Sequence, residues 1–390
     1  FSQYYGAHDE AGIERSYGLT WLCMMTVAAI FGSLAIFFPD TIMRLYTDKP
    51  SIQEIGVEYL RIVGFAYFFQ VFSMAISALL RSTERVKIPL IASMVSVATN
   101  ILLNWILIFG KLGVPAMGIR GAALATTIAA VVNLLVLYLL AWRSGYPYLF
   151  HFAGHFRWSR KAVGEFFKKC FPILCNEILI GVGNMVINVT LGRQQEYVIA
   201  ALAVFRTIEG LVIGFFAGFS NAASVLVGTC VGAGKLRTAY ERARRLVYLC
   251  SGVIFAVCAA LFLVRSPLLH AMSLSGDSYQ AGTFFLGFYG LAAVIRMGNW
   301  IQNDTYRASG DAVYGTVLEI VFMYLMLIPL VLLSGFVWKL PYWTIFICCY
   351  VDEPIRYFLM QRHFYSRKWI KPVTEQGRAA LSPFLKERET

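Results

Sequence analysis

Ser2, Gln3, Tyr4, Tyr5, Gly6 and Ala7 form the stretch on which the reading of this chain turns, because its Gly-Ala pair returns 226 positions later as Gly232 and Ala233. The same offset relates Leu60 to Leu286, Gly64 to Gly290, Ala66 to Ala292, Arg81 to Arg307 and Pro115 to Pro341. Apolar segments and loops recur at this spacing too, so the chain reads as two copies of one unit. The later copy carries two further apolar segments, at about 169–230, whose counterparts would precede residue 1. The expectation is a two-lobed protein lacking the first two helices of its first lobe.

Of the 390 residues, 58% are hydrophobic and 14% charged, whereas a soluble domain carries roughly 25% charged residues. That balance places the chain in a bilayer. A spanning helix needs roughly 20 apolar residues, and such stretches occur near 19–38, 54–80, 88–109, 117–142, 169–191, 198–231, 246–264, 281–302, 312–334 and 341–361. The fold class expected is therefore an all-α polytopic membrane protein. It has two pseudo-symmetric helical bundles, about four helices in the first and six in the second.

The formal charge of +12 is explained by where the cations fall, without invoking nucleic acid. They gather at Arg81, Arg85 and Lys87, from Arg143 through Lys169, from Lys235 through Arg245, and from Arg362 onward. The alternate loops hold only Arg44, Lys49, Lys111, Arg193, Arg265 and Lys339. Basic loops face the cytoplasm, which predicts a multi-pass protein of the cell (inner) membrane with a cytoplasmic C-terminus; it is expected to be monomeric.

The domain boundaries predicted are an N-terminal lobe at 1–142, a cytoplasmic linker at 143–168, a six-helix lobe at 169–361 and a cytoplasmic tail at 362–390. Aromatic and basic residues of the linker (Tyr146, Tyr148, Phe150, Phe152, Trp158, Arg160, Lys161) suit the membrane surface. Parallel repeats of helices leave a cavity between them, an architecture of transporters. Gly210, Gly214 and Gly218 recur every four residues and predict close helix packing rather than a hinge. The eight cysteines show no metal spacing. His151 and His155 stand i, i+4 in the linker without a third ligand, so no metal or cofactor is expected.

A charge inside a bilayer needs a partner or a watery cavity. On a helix, Gly181, Asn184 and Asn188 fall within about 40° of Glu177, forming with it a polar stripe expected to face the interior and line a translocation path. Arg296 and Glu319 flank the turn around Ala308 at similar distances and are expected to pair. Charge sits in the second lobe only, because their counterparts at the repeat offset are Gln70 and Ser93. Arg206 with Glu209, and Glu353 with Arg356, are i, i+3 pairs able to neutralise each other locally. Asn100 and Asn104 are expected to bond across helices, and Asp304 and Asp311 to be solvated in a turn.

Taken together, residues 2–7, Asn100 with Asn104, Gly118 to Thr126 (GIRGAALAT), Gly228 to Gly234 and Arg307 to Asp311 resemble the multidrug and toxic compound extrusion (MATE) transporters over essentially the whole chain. The resemblance implies twelve helices in two six-helix bundles and export of small organic, amphipathic or cationic compounds across the lipid bilayer in exchange for H⁺ or Na⁺. It implies a coupling role for Glu177, in the seventh family helix, with Na⁺ possible there. A tenth-helix carboxylate of that branch has no secure match, since Asp304 lies near the turn and Arg296 occupies the deeper place. The substrate and cation pathway so predicted comprises Glu177, Asn184, Asn188, Arg296 and Glu319. A lipid-linked oligosaccharide or peptidoglycan-precursor flippase is the alternative transporter. An intramembrane enzyme is the alternative of another class, disfavoured because no histidine lies deep in a span and no nucleophile motif appears.

Overall fold

The computed structural model describes residues 1–46 and 50–386. Lys49, counted above among the sparse-loop cations, the side chains of Phe152 and Lys161, and residues 387–390 of the predicted tail lie outside the described residues. Helices and turns make up the described part, and nine of its helices are long and apolar enough to cross a membrane. Contacts divide the chain into two compact units, one of Asp9–Phe166 with Phe1, the other of Ser2–His8 with Phe167 onward.

The first unit contains α1 (Glu10–Phe37), α2 (Pro50–Ser82), α3 (Lys87–Phe109) and α4 (Gly118–Arg143). Asp9 starts α1 by accepting the Gly12 amide at 2.8 Å, which satisfies one of the free donors at a helix start. Gly110, at φ +67°, ends α3 in the left-handed conformation that favours glycine. Buried Gly121, Ala123, Ala125, Ala129 and Ala130 let α4 pack closely on its neighbours α2 and α3. Large apolar side chains such as Phe31, Met94 and Trp142 point outward, as a lipid-facing belt requires.

The linker packs against the first unit. Tyr146 and Leu149 are buried, and the Tyr146 and Thr83 hydroxyls share a 2.7 Å hydrogen bond. Tyr148 donates to Glu10 at 3.4 Å, and the His151 ring meets Glu14 at 2.9 Å. Thr83, just after α2, and Glu10 and Glu14 at the start of α1 hold this segment against the first unit through its own hydroxyls and an imidazole. The two histidines also diverge: His151 turns to Glu14, and His155 to the Tyr148 carbonyl at 2.7 Å.

The second unit contains α5 (Arg160–Leu191, its first residues lying before the boundary), α6 (Glu196–Gly232), α7 (Leu236–Leu263), α8 (Gly276–Ala308) and α9 (Ala312–Val337). After these come α10 (Tyr342–Cys348), α11 (Asp352–Tyr365) and α12 (Glu375–Lys386). Helix α9 loosens into wide π turns at Met323–Leu327 and Leu333–Val337, on either side of Pro329, which has no amide donor to continue the ladder. The tenth predicted span, 341–361, is corrected to two short helices, α10 and α11. Pro354 explains the break: its ring excludes the carbonyl four residues earlier, at Tyr350, and it offers no donor there. A cluster of rings (Phe205, Phe285, Tyr289, Phe346, Tyr350) forms the core, with Phe285 and Phe346 only 4.4 Å apart.

Ser2–Gly6 forms a short helix packed on the end of α6. A Cβ on Gly6 would enter the Thr229 backbone, and one on Gly232 would enter the Gln3 backbone. Gln3 and Thr229 are themselves separated by the repeat offset, so the two glycines make one contact twice. Nearby, the Gln3 amide donates to the Ala308 carbonyl at 2.6 Å and accepts the Val373 amide at 2.8 Å. Thr374 donates to the Gly232 carbonyl at 2.8 Å.

Three expectations are corrected at this level. A Cβ on Gly210, Gly214 or Gly218 would meet nothing within 4 Å, so this glycine face is open and not a packing seam. Asn104 donates to Asn100 at 3.0 Å, because residues one turn apart on α3 reach each other before any other helix does. Asp311 is buried, not solvated: Lys371 lies 2.8 Å from one carboxylate oxygen and the His363 ring 3.0 Å from the other. Burial alone would raise the Asp311 carboxyl, yet the hydrogen bonds from His363 and Lys371 outweigh it and hold it below the usual carboxylate range.

Candidate cation and substrate site

The interior of the second unit is threaded by ionised side chains from four helices. Glu209, on the buried face of α6, is 3% exposed. It accepts from Arg206 at 2.6 Å, from Arg296 on α8 at 2.7 Å and from the Tyr350 hydroxyl at 3.3 Å. Arg296 also lies 3.8 Å from Glu353 on α11, which accepts the Asn299 amide at 2.7 Å. Arg356, three residues on, reaches Asp352 at 3.1 Å, Glu353 at 3.9 Å and Glu319 on α9 at 3.5 Å. Glu319 in turn accepts from Asn176 on α5 and Asn303 on α8, each at 3.3 Å.

Arg296 and Glu319 therefore do not pair with each other. The reason is the position of the turn. It centres on Gly310, at φ +97°, so Arg296 stands 14 residues from it and Glu319 only nine. At 1.5 Å per residue the two differ in depth by about 7 Å, while Asn303, seven residues from the turn, matches Glu319. The pair is replaced by a relay from Glu209 through Arg296, Glu353 and Arg356 to Glu319.

A second group lies on the same unit. Arg307 reaches Glu177 at 3.3 Å and Asp304 at 3.6 Å, and Ser220 on α6 donates to Asp304. Asp304 is thus held within α8, not solvated in a turn as the sequence suggested. The predicted stripe of Glu177, Gly181, Asn184 and Asn188 does share one face of α5, but that face is exposed. A Cβ on Gly181 would meet nothing within 4 Å. Asn188 accepts from Arg206 at 3.3 Å, tying the stripe to the interior relay. The packed face is instead the one bearing Asn176, Gly183, Ile187 and Thr190. Asn176 is the residue that sequence reasoning passed over: it stands beside Glu177, turned about 100° from it, and is fully buried.

Counted together, Glu177, Glu209, Asp304, Glu319, Asp352 and Glu353 place six carboxylates against the four guanidiniums of Arg206, Arg296, Arg307 and Arg356. The cluster is short of two positive charges when every group is ionised. The side-chain carbonyl oxygens of Asn176, Asn299 and Asn303 are buried there without a protein donor. Surplus carboxylates with idle carbonyl oxygens are the donors a hard cation such as Na⁺ takes, and a proton on a carboxylate relieves the same imbalance. Among the described residues no cluster of His, Cys, Asp and Glu has the spacing of a metal centre.

The first unit has a separate apolar pocket of about 90 Å³, lined by Tyr17, Trp21, Phe72, Tyr138, His155 and Phe156 among others. Drug-sized ligands occupy roughly 300 Å³ or more, so this pocket is too small to hold one.

Long apolar helices in two units, with the buried carboxylates among the described residues all in the second, define a polytopic membrane protein. The family profile described as MatE matches residues 1–106 and 172–333, and the chain belongs to that family of transporters. It is accordingly a transporter and not an enzyme. It is 23% identical over 375 residues to the uncharacterized transporter YisQ of Bacillus subtilis (strain 168), covering 95% of this chain and 81% of the relative. It is 25% identical over 325 residues to the multidrug export protein MepA of Staphylococcus saprophyticus, covering 79% and 68%. A crystal structure of MATE in complex with MaL6 superposes with a TM-score of 0.82 at 17% identity, covering 94% of this chain and 82% of that one.

Proposed function

We propose that the chain exports amphipathic or cationic organic compounds in exchange for H⁺ or Na⁺, its two units alternating access to the two sides of the cell membrane. The observation that carries this reading is the surplus of two carboxylates in the charged cluster of the second unit. A buried cluster short of positive charge takes up a proton or a metal cation in one state, and gives it up when a cationic substrate or a rearranged guanidinium supplies the charge instead. Glu177 is the exposed end of that cluster, joined to Asp304 through Arg307. Asn184 and Asn188 extend from it along one open helix face, a path with polar contacts and no bulky side chain at Gly181. Arg296 and Glu319 serve the same cycle from inside, as members of the relay whose pairings change when a carboxylate is neutralised.

Relatives named as multidrug export and multidrug resistance proteins support the substrate class. The basic loops support a cytoplasmic C-terminus. The experiment uses everted membrane vesicles with an imposed pH or Na⁺ gradient and a panel of cationic dyes. Dye-dependent dissipation of one gradient names the coupling ion. Glu177→Gln is expected to abolish that coupling while leaving the protein in the membrane, and dissipation at the wild-type rate by this variant would remove Glu177 from the pathway.

A further inference from the structure

The end of the second unit that bears the basic segments has a seam whose chemistry the transport cycle does not use. There the start of α7, the end of α11 and the tail are packed together through Leu236, Ala239, Ala243, Phe364, Trp369 and Phe384. On its outer side the hydroxyls of Tyr248 (α7) and Tyr365 (α11) share a 2.7 Å hydrogen bond. Both tyrosines are about half exposed, at 54% and 48%, so this bond fixes a point on the surface where the two helices meet.

Along both helices from that point the exposed side chains are apolar in one direction: Leu249 and Phe255 on α7, Ile355 and Phe358 on α11. In the other direction, and at the boundary, they are cationic. Arg244 and Arg245 lie one turn before Tyr248, Arg362 one turn before Tyr365, and Lys368 three residues after it, all four exposed. Among the described residues none of the four has a carboxylate partner. The single acid of α7, Glu241, is engaged by Arg237 at 3.6 Å.

We propose that this seam binds an anionic phospholipid. Tyrosine hydroxyls beside an apolar belt mark headgroup depth. The phosphate takes charge-assisted hydrogen bonds from Arg244, Arg245, Arg362 and Lys368, and the acyl chains follow Leu249, Phe255, Ile355 and Phe358. A lipid is favoured over a soluble anion because the cations border a lipid-facing apolar surface and not a closed cavity. Each unpaired cation near a membrane surface contributes about a fivefold preference for an anionic over a zwitterionic lipid. With salt screening, the four are expected to give at least a tenfold preference.

The test titrates the purified full chain in detergent with phosphatidylglycerol and phosphatidylcholine carrying the same fluorescent acyl chain. Phosphatidylglycerol is expected to bind at least tenfold more tightly. The triple variant R244Q/R245Q/K368Q is expected to reduce that preference to within threefold of unity, and R244K/R245K to keep most of it, which separates lost charge from lost fold. Equal binding of the two lipids by the wild-type chain overturns the proposal, as does a triple variant that retains the preference. Displacement of phosphatidylglycerol by millimolar inorganic phosphate would also overturn it, by showing a plain phosphate site.

Discussion

Replacing Arg296 with Met tests whether the buried relay acts as one unit. Arg296 supplies one of the two guanidiniums on Glu209, at 2.7 Å, and the link to Glu353 at 3.8 Å. Removing one partner of a buried pair costs about 3–5 kcal/mol, because the other charge is left uncompensated. Arg206 and Tyr350 remain on Glu209, so the lower end applies, about 3 kcal/mol. In a unit of this size that corresponds to a fall in melting temperature of roughly 6–12 °C. Glu209→Gln alone leaves Arg296 with Glu353 but strands Arg206, and costs about 2–3 kcal/mol by the same reasoning. The double variant R296M/E209Q removes a charge of each sign. Its loss is expected to fall short of the sum of the singles by about 1–3 kcal/mol, the range for groups sharing a network. Thermal stability of the four proteins in detergent, followed by loss of monodisperse protein on size exclusion, provides the measurement. Strict additivity, or a fall of less than 2 °C for Arg296→Met, would show that Glu209 and Arg296 are not energetically coupled.

Other consequences can be checked with the same preparation. Asp311→Asn is expected to destabilise at pH 7, and by less near pH 3. A carboxyl held low in the folded state stabilises above its unfolded value, about 3.9, and that stability is lost as pH falls through the lower folded value; melting curves at the two pH values decide it. Gly6→Ala and Gly232→Ala each force a Cβ into backbone, and each is expected to cost at least about 1–3 kcal/mol, by similar amounts; a neutral result at one position and a large one at the other would refute the equivalence of the two contacts. Gly181→Leu has open space for its side chain, so it is expected to leave the melting temperature within 2 °C of wild type while slowing dye transport by about tenfold or more. Unchanged transport would mean that the α5 stripe is not part of the route.

Local features could be read from the chain, and long-range ones could not. Spans were legible because lipid exposure demands some twenty apolar residues in a row, and Arg206 with Glu209 because an i, i+3 pair on one helix is geometrically fixed. The open face of α5 followed from helical period, though which way it turned did not: the period places Asn176 and Glu177 on different faces without saying which one is packed. Glu209 looked self-sufficient beside Arg206, and nothing in the spacing announces that Arg296, 87 positions on, shares the same carboxylate. The hairpin between α8 and α9 misled by two residues. Reading its centre at Ala308 and not Gly310 equalised depths that differ by about a turn and a half of helix. Pro354 was visible throughout, and its break in the last span was masked by the hydrophobicity around it.

The doubled contact of Gly6 on Thr229 and Gly232 on Gln3 has the form of an isologous interface, in which a patch meets its own copy and every contact occurs twice. Such an interface is what two separate polypeptides of one kind form when they associate as a homodimer. Here both copies lie in one chain, so the same contact forms without a second molecule, and its two sides can be substituted one at a time.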